Sequence, residues 1–392
     1  MNIIFSTQPS LIPVIKQLYQ KHQIYTIHPQ FSKLLEDSDI KIPFVATLVT
    51  ANEQRMSTTL ASQAHAELYQ LRPQNEALPK STNEWLARGG FAEYFYPRLG
   101  DLALALQAIE LAKPDLFVLH NDVEPLHRLL ALWAKAHDVP VLHVPHAIYM
   151  ETEERGPVGT DVHDLVTATH LAAAGPFQAQ WYRDRSPGLQ IYVTGLPQFD
   201  RLVKQRIDRV RAAKLLRLDP AVPTMVYMSS WRQDTNLLGC HSGVEDTYVN
   251  FLRAYQQIPD LQLIVKCHPR GNNTEWHAQQ AEKLGITCAV TAEHLDVTLM
   301  VADLIFSYGP SNVVLEAATL PGIRLLASSG FPSDPEVTVT GDETEDIFTG
   351  IAKAMLAPAP DHTRFISKYM SVIDGQAYLR IANLIEKLCP AS

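Results

Sequence analysis

Cysteine is scarce in this 392-residue chain, and the four present lie far apart. Cys240, Cys267, Cys288 and Cys389 form no CxxC pair and no zinc spacing, so reduced thiols in the cytosol are the simplest account. Basic residues are outnumbered as well. Lys and Arg total 33 against 42 Asp and Glu, a formal net charge of −9, which weighs against a nucleic-acid partner. No apolar run reaches the ~18–20 residues of a membrane-spanning helix. The start, MNIIFSTQPS, has neither a basic leader nor a small-residue cleavage site and reads as a first strand. The G-x-G-x-x-G fingerprint, the P-loop and G-x-S-x-G are all missing, which disfavours a bound dinucleotide, an ATPase and an α/β-hydrolase. No HExxH and no D-x-D metal seat stands out, so neither a metal nor a cofactor is expected.

What is present is alternation. Short β-rich runs (NIIFST, QIYTIH, PFVATLV, DLFVLHN, PVLHVPH, LVTATHLA, IYVTG, then TMVYMSS, LQLIVKCH, TCAV, DLIFSY, IRLLAS) are separated by amphipathic segments of helical period. Such alternation predicts α/β architecture with parallel sheets covered on both faces. At roughly 100–200 residues per domain the length predicts about two domains. The seam is expected at LLRLDPAVP, after the charged helix DRLVKQRIDRVRAAKLL. The expected division is an N-terminal Rossmann-like domain over 1–205, a second over 206–375, and a C-terminal helix over 376–392 packing back toward the first. Ligands of open α/β sheets bind beyond the carboxyl ends of the strands, so a cleft between the domains is the expected site.

The sharpest motif is LQLIVKCHPRGNN, an apolar strand that ends on His268-Pro269-Arg270. Proline stops the ladder because it lacks an N–H. His268 is either a strand-end histidine bonded to a carbonyl or a group facing an anion, with Arg270 adding charge. The second motif is SYGPSNVVLEA. Gly309 and Pro310 turn the chain, Ser311 is placed to cap a helix starting near Asn312, and the helix start is a seat for phosphate. Glu316 lies about one and a half turns in, where its carboxylate reaches ribose hydroxyls. An ordinary capped helix is the competing reading. Both motifs fall at strand C-termini, which favours one shared nucleotide-phosphate site. In MVYMSSWRQDTNLLG a buried strand runs into Ser229, Ser230, Trp231, Arg232, Gln233 and Asp234. Asp234 is either a loop cap or a carboxylate aimed at a sugar. In the first half, HVPHAIYMETEERG offers His143, His146, Glu151, Glu153 and Glu154 as acid or base candidates or as a solvated loop, LHNDVEP (His120, Asn121, Asp122 and Glu124) is a further cleft candidate, and STQPS has Ser6, Thr7 and Gln8 for acceptor contacts.

The pairing of KCHPR with SYGPSNVVLEA resembles the GT-B glycosyltransferases and glycerophosphotransferases of bacterial capsule, teichoic-acid and lipopolysaccharide assembly. VLHVPHAIY and YVTGLPQFDRL extend the likeness over roughly residues 115–325 as short motifs. The resemblance implies a GT-B fold and a CMP- or CDP-linked donor. It implies donor-nucleotide contacts from His268, Pro269, Arg270, Ser307, Tyr308, Gly309, Ser311, Asn312 and Glu316. The SSWRQD segment is similar to that of the retaining β-Kdo transferases. By that likeness Asp234 is the nucleophile and Ser230, Arg232 and Gln233 hold the donor sugar, with Arg232 on the Kdo carboxylate. The reading that follows is transfer of Kdo from CMP-Kdo, with CMP as product, to a saccharide or lipid-linked glycan of O-antigen or capsule. His146 and Glu154 would serve as acid or base, and Ser6, Gln8 and Asp122 would touch the acceptor. The expected setting is the cytoplasm or the cytoplasmic face of the inner membrane. The ending EKLCPAS is compatible with one module of a larger polymerase. Three rivals stand beside this reading: transfer of glycerophosphate from CDP-glycerol or an inverting sialyl-type transfer, a sugar-nucleotide epimerase that needs no acceptor, and a non-catalytic binding module.

Overall fold

The computed structural model describes residues 1–6, 9–27, 40–43, 107–120, 125–146, 148, 151–152, 156–157, 168–204, 208–229, 244–268, 274–292, 295–308, 311–328, 331, 334–358 and 360–388. The chain forms two compact units. Unit 1 comprises Met1–His146, Gly159–Asp200 and Ile373–Ser392; unit 2 comprises Ala147–Val158 and Arg201–Val372.

Unit 1 begins with β1 (Asn2–Phe5), a 3-10 turn at Pro9–Leu11, α1 (Ile12–Leu18) and β2 (Gln23–Thr26). It continues with β3 (Leu116–Leu119), α2 (Pro125–Ala136) and β4 (Val141–His143). A two-stranded hairpin of unit 2, β5 (Glu151–Thr152) and β6 (Gly156–Pro157), interrupts it. Then come β7 (His170–Ala173), α3 (Pro176–Arg185) and β8 (Gln190–Val193). The six sheet strands lie in the order β2-β1-β3-β4-β7-β8, every pair parallel. LFVL of β3 is buried throughout, as a parallel strand covered on both faces should be. After β8 the backbone turns at Gly195, whose φ of +73° suits a residue without Cβ. The expected strand PFVATLV lies outside the described residues apart from Pro43, whose carbonyl accepts from Thr26 N at 3.2 Å.

The C-terminal helix α12 (Ala377–Leu388) belongs to unit 1 and packs on α1. Its buried Ala377, Ile381, Ala382, Leu384 and Ile385 form one stripe at helical spacing. Its first turn is held from outside: the Asp200 carboxylate accepts from Ala377 N at 3.0 Å and Tyr378 N at 2.9 Å, satisfying two orphan donors.

Besides that hairpin, unit 2 comprises α4 (Arg201–Lys204) and α5 (Arg209–Leu216), which Asp208 caps by accepting from Arg211 N at 2.8 Å, and the elements after them. The strands β9 (Thr224–Met228), β10 (Gln262–Lys266), β11 (Ala289–Thr291), β12 (Leu304–Ser307), β13 (Arg324–Ala327) and β14 (Thr338–Val339) order as β11-β10-β9-β12-β13-β14, again all parallel. Counted within the unit this is 3-2-1-4-5-6, the Rossmann order. The intervening helices are α6 (Val244–Tyr255), α7 (Thr274–Lys283), α8 (Leu295–Val301) and α9 (Asn312–Ala318), followed by α10 (Thr344–Leu356) and α11 (Thr363–Tyr369). One face of the sheet is closed by α6 and α10 around Tyr227, Tyr248, Phe251 and Phe306, with the Tyr227 ring 4.7 Å from Phe251 and 4.9 Å from Tyr248.

The division falls between Asp200 and Arg201, near the start of the charged stretch DRLVKQRIDRVRAAKLL. The cause is ionic. Arg209 grips Asp303 with both Nη atoms, at 3.1 and 2.7 Å, and Asp303 Oδ2 also accepts from Thr224 N at 2.8 Å. This fork fixes α5 against the start of β9.

Candidate functional site

In unit 2 the strand order reverses at β9, which has β10 on one side and β12 on the other. Crossovers leave this point in opposite directions, and such a switch point is where open α/β sheets take their ligands. Lys266 of β10 and Ser307 of β12 both register with Met228 of β9. They therefore stand level, two strand spacings or roughly 10 Å apart. Just beyond this level come Ser229, half-buried His268 and half-buried Tyr308. The ladder continues past the strands, with Ser229 N donating to Lys266 O at 2.9 Å and Tyr308 N to Met228 O at 3.4 Å. The topology thus brings His268, Ser307 and Tyr308 to one sheet edge.

Ser311 caps α9 and accepts from Val313 N at 3.4 Å, as its position in the sequence implies. Asn312 also reaches beyond its own helix. Its Oδ1 accepts from Ile148 N at 2.9 Å, which ties the 147–158 segment to unit 2. Glu316 is buried, and its Oε2 accepts from Arg201, which also reaches Asp296. Burial pushes the Glu316 carboxyl up to about 7; Arg201 acts against that and Asp296 adds to it. Burial prevails because Arg201 is one-third exposed and shared between two carboxylates.

Lys266, a residue the motif reading passed over, is buried too. Its amine donates to Cys267 O at 2.8 Å and Ala292 O at 2.9 Å, and burial lowers its pKa. A lysine at the end of an apolar strand was the available signal. Arg201 and Asp296 carried no such signal, because only folding brings them to Glu316.

Unit 1 reverses its order at β1, between β2 and β3. Ser6 follows β1 and His120 follows β3, so this pair spans the reversal. Ser6 was expected to touch an acceptor, yet it has no exposed surface. Its Oγ lies 2.8 Å from His120 Nδ1 and accepts from His120 N at 2.9 Å. Three further histidines gather there. His143 Nε2 donates to His120 O at 3.3 Å, and His127 and His146 set their rings edge-on to His120 at 4.9 and 5.9 Å between centroids. His146 is exposed, and its carbonyl accepts from Gln198 Nε2 at 2.9 Å, which joins the HVPH loop to the GLPQFD segment.

Among the described residues no group of three or more His, Cys, Asp or Glu could hold a metal ion, and no helix is long and apolar enough to cross a membrane. Asp234, Glu154, Pro269, Arg270, Gly309, Ser230, Arg232, Gln233, Gln8 and Asp122 lie outside the described residues.

No family model and no curated protein matches the chain. Solved structures do, over essentially its whole length. UDP-GlcNAc 2-epimerase from Neisseria meningitidis bound to UDP-GlcNAc is 16% identical with a TM-score of 0.56, covering 99% of this chain and 100% of that one. A glycosyltransferase from Rickettsia africae is 11% identical with a TM-score of 0.57, covering 100% and 99%. HepE from Anabaena in complex with UDP-glucose is 15% identical with a TM-score of 0.57, covering 99% and 100%. With the two parallel six-stranded sheets, these likenesses establish a two-domain GT-B fold of Rossmann-like units.

Proposed function

We propose that the chain is a nucleotide-sugar enzyme whose unit 2 holds the nucleotide, and that its reaction is epimerisation of the bound sugar. The observation that carries the nucleotide site is the β9 reversal, where His268, Ser307 and Tyr308 share one edge with the Ser311-capped start of α9. Hydroxyls and a histidine there suit phosphate oxygens; Glu316 of the same helix, the residue expected at the ribose, is buried and held by Arg201. Full-length likeness to epimerases favours rearrangement of the sugar over its transfer. This departs from Kdo transfer as the leading reading: at 11–16% identity nothing in the likenesses speaks for CMP or Kdo.

The second reading keeps Kdo transfer from CMP-Kdo, on the strength of KCHPR, SYGPSNVVLEA and SSWRQD together. The two differ in their need for an acceptor. Incubation with UDP-GlcNAc alone, followed by NMR of the sugar protons, should give a second sugar stereoisomer. Turnover only with CMP-Kdo and a saccharide would replace the first reading by the second. In that case Asp234→Asn should lower kcat far more than it weakens nucleotide binding, since a nucleophile acts mainly in the transition state.

A further inference from the structure

Lys266 is a buried cation, 6% exposed, and an ammonium taken out of water is destabilising unless a carboxylate pairs with it. None is bonded to it among the described residues. Its amine donates instead to two main-chain carbonyls, Cys267 O at 2.8 Å and Ala292 O at 2.9 Å. Glu316, whose charge reaches it, is bonded to Arg201.

The two carbonyls share a place in the sheet. The last ladder bonds of β10 run from Ser229 N to Lys266 O at 2.9 Å and from Cys267 N to Thr291 O at 2.8 Å. Pro269, two residues on, has no N–H to extend the ladder. Cys267 O and Ala292 O thus lie one residue past β10 and β11. Cys267 is buried, so its carbonyl needs a donor. The ammonium supplies it and ties the two strand ends together. The next residue along the chain from this tie is His268.

We infer that Lys266 is the positioning residue for His268: by bridging Cys267 O and Ala292 O it fixes the main chain on which His268 stands at the unit 2 switch point. Lys266 touches no ligand itself and acts through His268. A methionine would fill the same space without holding either carbonyl, and a group displaced by about 1 Å makes a poorer hydrogen bond. The inference rests on the nucleotide-sugar reading for what His268 holds, but not for the bridge.

The test is a double-mutant cycle on the full-length protein, with UDP affinity read by calorimetry. Lys266→Met should weaken UDP about tenfold in wild type but less than about twofold in the His268→Ala background, because a residue that acts through His268 has nothing to position once the imidazole is gone. A role in stability alone would not produce that coupling. Equal losses in both backgrounds, or no loss in either, overturn the inference. Lys266→Gln, one atom shorter and uncharged, carries the same cycle if Lys266→Met does not fold. Amide hydrogen exchange without nucleotide gives the second arm. In the Lys266 variant, protection of Cys267 N–H should fall about tenfold while Ile264 and Val265 in the same strand keep theirs. Unchanged protection at Cys267, or an equal fall along the whole strand, overturns the inference. Should UDP fail to bind wild type, the nucleotide reading fails by itself, and the exchange result decides the bridge.

Discussion

Ser6 and His120 in unit 1, and Ser229 and Ser307 in unit 2, occupy matching places: each pair follows or ends the two strands that flank its sheet's reversal. Their surroundings differ. Around the first pair stand His127, His143 and His146. Around the second stand buried Lys266 and the Arg201–Glu316–Asp296 group. One plan therefore carries two sets of side chains. The first site is built of imidazoles that bond as directional neutral groups, whereas the second sets serine hydroxyls beside a buried lysine and one guanidinium shared by two carboxylates. The guanidinium's charge is internally paired, which makes that unit sensitive to pH and to loss of a partner.

The largest expected effect follows from Glu316. Its folded carboxyl, at about 7, lies above its ordinary 4.5. Native protein thus binds a proton that the unfolded chain releases. The stabilisation is fully present below pH 4.5 and is lost as pH rises through 7, by up to about 3 kcal/mol at roughly 1.4 kcal/mol per pH unit. Urea denaturation across pH 4.5–8 should show this fall, and Glu316→Gln should flatten it. Identical slopes would mean that the carboxylate is stabilised by Arg201 as strongly as by water.

Arg201→Ala comes next. It leaves a buried carboxylate without its guanidinium and should cost about 2–3 kcal/mol at pH 8, less than for a fully buried pair because Arg201 is 33% exposed. The loss should shrink at pH 5, where the carboxyl is protonated. Hydrogen exchange of β1 and β3 amides should stay unchanged; weaker protection there would break the separation of the two units. In the other direction, Asp200→Ala removes two bonds to the α12 start and should cost unit 1 about 1–2 kcal/mol. Nucleotide affinity should survive it, measured by calorimetry. The smallest effect is none at all: turnover in excess EDTA should equal turnover without it, and recovery by magnesium or manganese after a loss would show that a metal is needed.

Much of the fold was legible in local pattern. Strand–helix alternation gave parallel sheets, and Ser311 before NVVLEA marked a helix start that α9 takes up. The site was legible only in part, because its decisive contacts are distant in sequence. Ser6 and His120 are 114 residues apart, and Arg201 and Glu316 are 115 apart. No window of propensity or spacing reports such pairs; strand order creates them. Ser6 read as a ligand-facing serine because it follows a first strand. Its hydroxyl instead turns inward to His120, which a residue one step past a strand can do when the adjacent strand supplies a partner. Asp200 and Arg201 read as one continuous charged stretch, while their side chains anchor different units.

The central claim is that unit 2 is the nucleotide-binding unit. Calorimetric titration of UDP, CMP, CDP and GDP into wild type, His268→Ala and His120→Ala tests it most directly. A pyrimidine nucleotide should bind wild type, His268→Ala should weaken it by about 1.5–3 kcal/mol through loss of a charge-assisted hydrogen bond, and His120→Ala should leave it unchanged. Absence of binding by all four, or weakening by His120→Ala with none by His268→Ala, would contradict the account.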